Sequence, residues 1–169
     1  MTEKMTRRTF IKSAAAAAVV VSLSGMLSGC GEDKVLAEVA LPSFKVRLKD
    51  VKVSGGNVYT DAGKESLETE AVFELIYTGT GFTGDSYANV FGAKVGETAL
   101  DLKNGGMMSA ADFPFSKTKT CTVRFGTESA DVNTQFGRGE PLVLTVRLQG
   151  VTAKFTYDVN KTAKGEVVS

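Results

Sequence analysis

The sequence predicts an all-β protein, built as an antiparallel β-sandwich of about seven to eight strands. Three observations predict this class. Apolar and polar residues alternate with period two in several short segments between residues 44 and 159. Turn sequences separate these segments at regular intervals, and no convincing amphipathic helix pattern interrupts them. Together these observations indicate one domain in which each strand buries a single face.

The first strands occupy the segment up to residue 77. The apolar run 35–41 is either a first strand or the lead-in to one. Alternation then begins at Phe44 and changes parity after residues 49–50, which predicts a β-bulge there. After a turn at 54–57, the clearest strand of the chain follows at 67–77.

Shorter strands are predicted at 87–95 and 98–102, with a turn at 104–106. Three further strands alternate clearly. Their inward-facing residues are Cys121, Val123 and Phe125; Leu142, Leu144, Val146 and Leu148; and Val151, Ala153, Phe155, Tyr157 and Val159. Between the last two, Gln149 and Gly150 form a tight hairpin.

The composition excludes much familiar chemistry. The 169 residues include no His, no Trp and two Cys. Without imidazole, Ser-His-Asp and Cys-His catalysis, cupredoxin copper and the usual catalytic zinc sites are excluded. Two thiols are too few for a four-thiolate iron–sulfur cluster or c-type haem attachment. We therefore expect no cofactor, no metal and no enzymatic activity.

The charge distribution argues against nucleic acid as a partner. Residues 1–29 hold four of the 20 basic residues and one of the 19 acidic residues, so the remainder carries a net charge of about −2. It contains no cluster of Lys and Arg interleaved with aromatic residues, which a nucleic-acid surface would require.

The first thirty residues have the three regions of an export signal: a basic start, an uncharged Ala- and Val-rich stretch, and a small-residue end. The apolar stretch is shorter than the ~20 residues that a membrane-spanning helix needs. Its basic start carries Arg7, Arg8, Phe10 and Lys12, and this pattern resembles the twin-arginine export signal. The resemblance implies export in a folded state.

The end of this stretch resembles a bacterial lipobox, formed by Leu27, Ser28, Gly29 and Cys30. In proteins with this signal, the Cys thiol takes a diacylglyceryl group and cleavage makes it the new N-terminus. Two acyl chains anchor a protein stably, whereas a single chain is marginal. The resemblance implies that lipid on Cys30 holds the chain to the extracytoplasmic face of the cell membrane.

These segments divide the chain into four parts. We predict a signal peptide at 1–29, a lipidated tether at 30–42, a sandwich domain at 43–160 and a flexible tail at 161–169. The strand layout from about 44 to 159 resembles the immunoglobulin-like domains of many bacterial lipoproteins. It lacks the Trp and the inter-sheet disulfide of antibody domains.

A literal G-x-G-x-x-G motif follows the predicted strand 67–77. Its residues Gly79, Gly81 and Gly84, with the nearby Phe82 and Tyr87, form the candidate ligand loop. A dinucleotide site needs a helix after the motif and further βαβ units, and the following residues are poor helix formers. A kinase-like glycine loop is excluded by the small size and the missing His. The glycines are therefore interpreted as a turn or bulged corner.

Two sulfur-containing features have alternative interpretations. Cys121 has inward parity, where Cys behaves as a small hydrophobe, and a reactive role would need exposure and a nearby cation. Met107 and Met108 are soft Cu(I) ligands in principle, but a loop that inserts apolar side chains into the core explains them equally well. The acidic residues are scattered and match no calcium-loop spacing.

The leading functional hypothesis is a non-enzymatic binding or interaction module, anchored at the cell envelope. Loops at one end of the sandwich, at 79–87 and 104–115, would contact a ligand or a partner protein. The alternative is an accessory subunit or small-ligand carrier for an exported enzyme or transporter. An enzyme with a carboxylate or thiol site is a third, less favoured class.

Overall fold

The computed structural model describes residues 34–55, 67–113 and 117–168. The export signal, the lipobox and Cys30 lie outside these ranges. The strands are β1 Ala37–Ala40, β2 Phe44–Gly55, β3 Leu67–Tyr77, β4 Asp85–Ser86, β5 Phe91–Val95, β6 Thr98–Ala99, β7 Asp101–Leu102, β8 Met107–Met108, β9 Thr118–Thr127, β10 Leu142–Leu148, β11 Val151–Tyr157 and β12 Ala163–Val168. The helices are α1 Tyr87–Val90 and α2 Ala130–Gly137, with a 3-10 turn at Ala110–Asp112.

Two five-stranded antiparallel sheets form the sandwich. Their strand orders are β1-β2-β3-β9-β7 and β12-β11-β10-β5-β6, and β4 pairs with β8 beside them. The order β2-β3-β9-β7 corresponds to strands A-B-E-D of an immunoglobulin domain, and β6-β5-β10-β11 corresponds to C′-C-F-G. The predicted immunoglobulin-like sandwich is confirmed, with β1 and β12 added as an outer strand of each sheet.

The core lies between the sheets, where the predicted inward faces meet. Phe73 on β3 stacks on Phe91 of β5 at a centroid distance of 5.5 Å and contacts Phe155 of β11 at 5.7 Å. All three rings are buried, as are Leu144 and Val123 beside them. Burial of these apolar faces is the main term that stabilises the sandwich.

The bulge predicted at residues 49–50 is also present. Along the β2–β3 pairing the register shifts between Leu48 and Asp50, so the inward parity moves from Leu48 to Val51. On the outer face, the Arg47 guanidinium donates hydrogen bonds to Glu38 (2.6 Å) and Glu74 (2.9 Å). These ion pairs join β1, β2 and β3 across the solvent side.

The predictions for the two chain ends were partly wrong. Residues 161–169 were predicted to be a flexible tail, but Ala163–Val168 is strand β12, paired with β11 from Tyr157 back to Thr152. Within the predicted tether, Ala37–Ala40 is strand β1, in agreement with the first-strand interpretation of the run 35–41. The two added strands lie against each other, since a Cβ on Gly165 would come within 2.5 Å of Val39 Cγ2.

Two predicted strands are interrupted. The segment 87–95 begins with the helical turn α1, because the Asp85 carboxylate accepts hydrogen bonds from Ser86 N–H and Asn89 Nδ2 and bends the chain before β5. The segment 98–102 divides into β6 and β7, which pair with different sheets. Leu100, buried between them, marks the crossing.

Helix α2 was not predicted. Among its described side chains only Val132 is buried, and its sequence shows little apolar periodicity. The helix therefore depends on contacts with the rest of the domain, which the sequence pattern does not show. It follows the end of β9, and Phe136 lines the same groove as Val53, which lies near the end of β2. We call this the helix end of the sandwich. Among the described residues, no helix is long and apolar enough to cross a membrane.

The opposite end carries the segment 79–87. There β2 begins and β3 ends, with Phe44 opposite Tyr77, and the hairpin at Gln149 and Gly150 joins β10 to β11. We call this the loop end. The antiparallel registers therefore place the candidate ligand loop and helix α2 at opposite ends of the sandwich.

Candidate functional site

The candidate ligand loop is held at the loop end by backbone contacts and by an aromatic cluster. The N–H groups of Thr78 and Gly79 donate to Ser43 O at 2.9 and 3.2 Å. The N–H of Phe82 donates to Tyr77 Oη at 2.9 Å. The ring of Phe82 is buried among other rings, with centroid distances of 5.2 Å to Phe44, 6.1 Å to Tyr77 and 5.7 Å to Phe113.

The glycines of the motif shape the loop. Gly84 has a φ of +111°, and a Cβ there would lie 2.5 Å from Met108 O, so a side chain would clash with the backbone of β8. The helix that follows the motif directly is the four-residue α1. This is the turn that the sequence interpretation expects, and the helix of a dinucleotide site does not follow it.

The second predicted loop joins the first. Tyr87 N–H donates to Gly106 O at 2.9 Å, and β8 pairs with β4, with Met107 opposite Ser86. The two methionines diverge: Met108 is fully buried, whereas Met107 is 70% exposed. The loops at 79–87 and 104–113 therefore form one surface, with an exposed apolar side chain at its edge.

Two adjoining open grooves cross the loop end. The smaller, of about 180 Å³, runs between residues 81–85 and residues 147–149. The larger, of about 510 Å³, is lined by Asp85, Ala88, Asn89, Arg147, Gln149 and Gly150. Asp85, Arg147 and Gln149 line both, so these side chains stand where the grooves meet.

The two charged side chains at this junction, Asp85 and Arg147, differ in whether they have hydrogen-bond partners within the protein. Asp85 Oδ1 accepts hydrogen bonds from Ser86 N–H and Asn89 Nδ2, both at 2.8 Å. Arg147 is exposed, and no described residue forms an ion pair or hydrogen bond with its guanidinium. A free guanidinium can bind a carboxylate or phosphate through two parallel hydrogen bonds.

Cys121 lies close to this surface but inside the core. Its thiol is buried, as its parity predicts, and burial raises its pKa. Burial also raises the pKa of Tyr87, together with the hydrogen bond between its hydroxyl and the Cys121 thiol. The thiolate is the reactive form of cysteine, and burial disfavours it, whereas the hydrogen bond from Tyr87 and the nearby Lys119 act in the opposite direction on the pKa of Cys121.

Two other open grooves lie away from the loop end. One of about 520 Å³ at the helix end is lined by residues that include Lys34, Phe136 and Lys161. Another of about 570 Å³, on the outer face of β2, β3 and β9, contains Glu70 between Lys52 and Arg124. Within residues 34–55, 67–113 and 117–168, no three His, Cys, Asp or Glu side chains come together in a metal-binding group.

Comparison with known proteins gives no match: no protein family, no curated protein and no solved structure is similar to this chain. The site therefore has to be interpreted from its own residues.

Sequence reasoning found the loop but missed the residues opposite it. Gly79, Gly81, Phe82, Gly84 and Tyr87 all lie at the loop end. Alternation predicts only that Arg147 faces solvent and that Gln149 lies in a hairpin. Their position opposite the loop depends on the pairing of β10 with β5, which brings the hairpin beside α1. That pairing is not visible in local alternation.

Proposed function

We propose that this chain is a lipid-anchored, extracytoplasmic binding module without enzymatic activity, and that it contacts a partner protein through the loop end. The observation that carries the proposal is the direction of β1. Ala40 pairs with Lys45 near the loop end, and Ala37 pairs with Leu48 farther from it. The chain therefore approaches β1 from the helix-end side.

With this direction, a lipid anchor on Cys30 would be separated from the loops. Lys34, the first described residue, lines the groove at the helix end together with Phe136 and Lys161. The four residue steps from Cys30 to Lys34 span at most about 14 Å. With lipid on Cys30, the helix end would be held near the bilayer, and the loop end would project away from it toward a partner.

The character of the loop end favours a protein over a small ligand. Its grooves are open, whereas small-molecule sites usually enclose most of the ligand surface. Met107 is exposed at the edge of a polar surface that contains Arg147, and both residue types are enriched at protein interfaces. Exposed methionine also adapts its shape to a partner at little cost.

The absence of activity is proposed from the chemistry that the domain offers. The chain has no His, and the thiol of Cys121 is buried. Among the described residues, the only ionisable side chains that line the two loop-end grooves are Asp85 and Arg147, and because an arginine stays protonated, this pair offers no general acid and base. The Asp85 carboxylate and the Arg147 guanidinium are therefore suited to binding a partner through hydrogen bonds and ion pairs.

The proposal is tested by gentle cross-linking of the protein in its native cell envelope, followed by affinity capture and mass spectrometry. We expect a single stoichiometric partner from the membrane fraction. The paired Cys30→Ala variant is expected to leave the membrane fraction, because it cannot be acylated.

The Cys30→Ala fractionation tests the lipid anchor, and the capture of a partner tests the interaction module. Continued acylation and membrane retention of Cys30→Ala would contradict the anchor. Capture of no partner from the anchored wild-type protein would contradict the interaction module and would favour a small-ligand carrier, which ligand screening of the same protein would then address.

A further inference from the structure

The two grooves at the loop end differ in volume and adjoin each other. Residues 81–85 line one side of the smaller groove, and the β10–β11 hairpin lines the other at Leu148 and Gln149. At Asp85 and Arg147 this groove adjoins the larger one beside α1. Together the grooves form one open path across the surface, along which an extended peptide segment can lie.

The loop side of the path offers unused backbone groups. Phe82 N–H is bonded to Tyr77 Oη, but no hydrogen bond joins the backbone of Gly81, Thr83 or Gly84 to another described residue. Gly81 and Thr83 are exposed. These exposed main-chain groups can form single hydrogen bonds with the backbone of a bound peptide. The positive φ of Gly81 and Gly84 keeps them from forming the continuous edge that strand addition uses.

The charged side chains where the two grooves meet indicate which charge a bound ligand should carry. The Arg147 guanidinium has no partner among the described residues, whereas Asp85 Oδ1 already holds Ser86 and Asn89 within its own loop. Arg147 is therefore the one charged side chain of the junction that has no hydrogen bond or ion pair to a described residue, and its planar guanidinium can bind a carboxylate through two parallel hydrogen bonds.

We propose that this path receives an extended peptide segment of the partner protein, with an acidic side chain of that segment bound to Arg147. The inference rests on the proposed function, since it names how the partner is recognised at the loop end. The backbone groups of Gly81, Thr83 and Gly84 supply affinity without regard to sequence, and Arg147 supplies the preference for Asp or Glu.

The test uses the acylated chain, reconstituted in detergent micelles, and a displayed library of random peptides as the probe. We expect the enriched peptides to share an Asp or Glu, and Arg147→Glu to weaken their binding by about tenfold or more. The matched control is Lys164→Glu, which makes the same charge change on β12. Lys164 is exposed and has no ion-pair partner among the described residues. Its variant should retain wild-type affinity, and circular dichroism verifies that both variants fold.

Two results would overturn the inference. One is enrichment of peptides without an acidic residue, or of no peptide. The other is an equal loss of affinity in Arg147→Glu and Lys164→Glu, which would indicate general charge attraction. If peptides fail while native cross-linking still captures a partner, the peptide mode is wrong and the proposed function stands. If both experiments give nothing, both proposals fail.

Discussion

Replacing Gly165 with valine is expected to lower the free energy of unfolding by about 3 kcal/mol. A Cβ at this position would lie 2.5 Å from Val39 Cγ2 and 3.1 Å from Phe155 Cε1, so β12 cannot accept a side chain there without moving away from β1. The Phe155 ring, opposite Gly165 in the register, fills the space that the glycine leaves. Urea denaturation of the purified protein measures the loss.

The matched control for this prediction is Lys164→Val. Lys164 is exposed on the outer face of the same strand, so the new valine meets solvent and the expected change is within about 0.5 kcal/mol. Equal stability of the two variants would contradict the packing of β12 on β1. The C-terminal residues would then behave as the tail that the sequence suggested.

Replacing Phe82 with alanine is expected to destabilise the protein by about 3 to 4 kcal/mol and to loosen the loop at 79–84. Its ring contacts Phe44, Tyr77 and Phe113 at centroid distances of 5.2 to 6.1 Å, and truncation would leave a cavity among them. Urea denaturation gives the change in stability. Hydrogen exchange of residues 79–86 gives the change in local opening.

Two companion variants make this prediction specific to the buried ring. Thr83→Ala changes the exposed neighbour and should leave stability within about 0.5 kcal/mol. Phe82→Leu keeps an apolar side chain, and we expect it to lose less than half as much as alanine. If Phe82→Ala were no less stable than Thr83→Ala, the aromatic cluster would not be what holds the loop.

The central strands could be predicted from sequence because their pattern is local. Successive residues of β3 and β10 point alternately to the core and to the solvent side. The change of parity after Leu48 likewise marks the bulge without reference to a partner strand. The number and spacing of these strands favour a sandwich of this kind, but they do not assign which strands pair.

Strand β12 escaped prediction because its inward positions are unusually small. Ala163 and Gly165 face the core where a typical strand would carry Val, Ile or Phe, since Val39 and Phe155 already occupy that space. The requirement comes from strands far away in sequence. Helix α2 escaped for a related reason, as Val132 is the only buried residue among its described side chains.

The candidate site was predictable only in part. The glycine spacing and the aromatic residues identified the loop at 79–87, and both properties are local. That Arg147 stands across a groove from this loop depends on β10 pairing with β5, a contact between distant segments. Alternation could assign Arg147 to the solvent face, but not to a neighbour.

The most direct test of the central claim is site-specific photo-cross-linking in the native envelope, with the reactive residue placed at one end of the sandwich or the other. Thr83 is exposed at the loop end, and Arg138 is exposed at the end of α2. A partner that binds the loop end should form an adduct from position 83 and none from position 138. An adduct from position 138 alone, or equal adducts from both, would contradict the account.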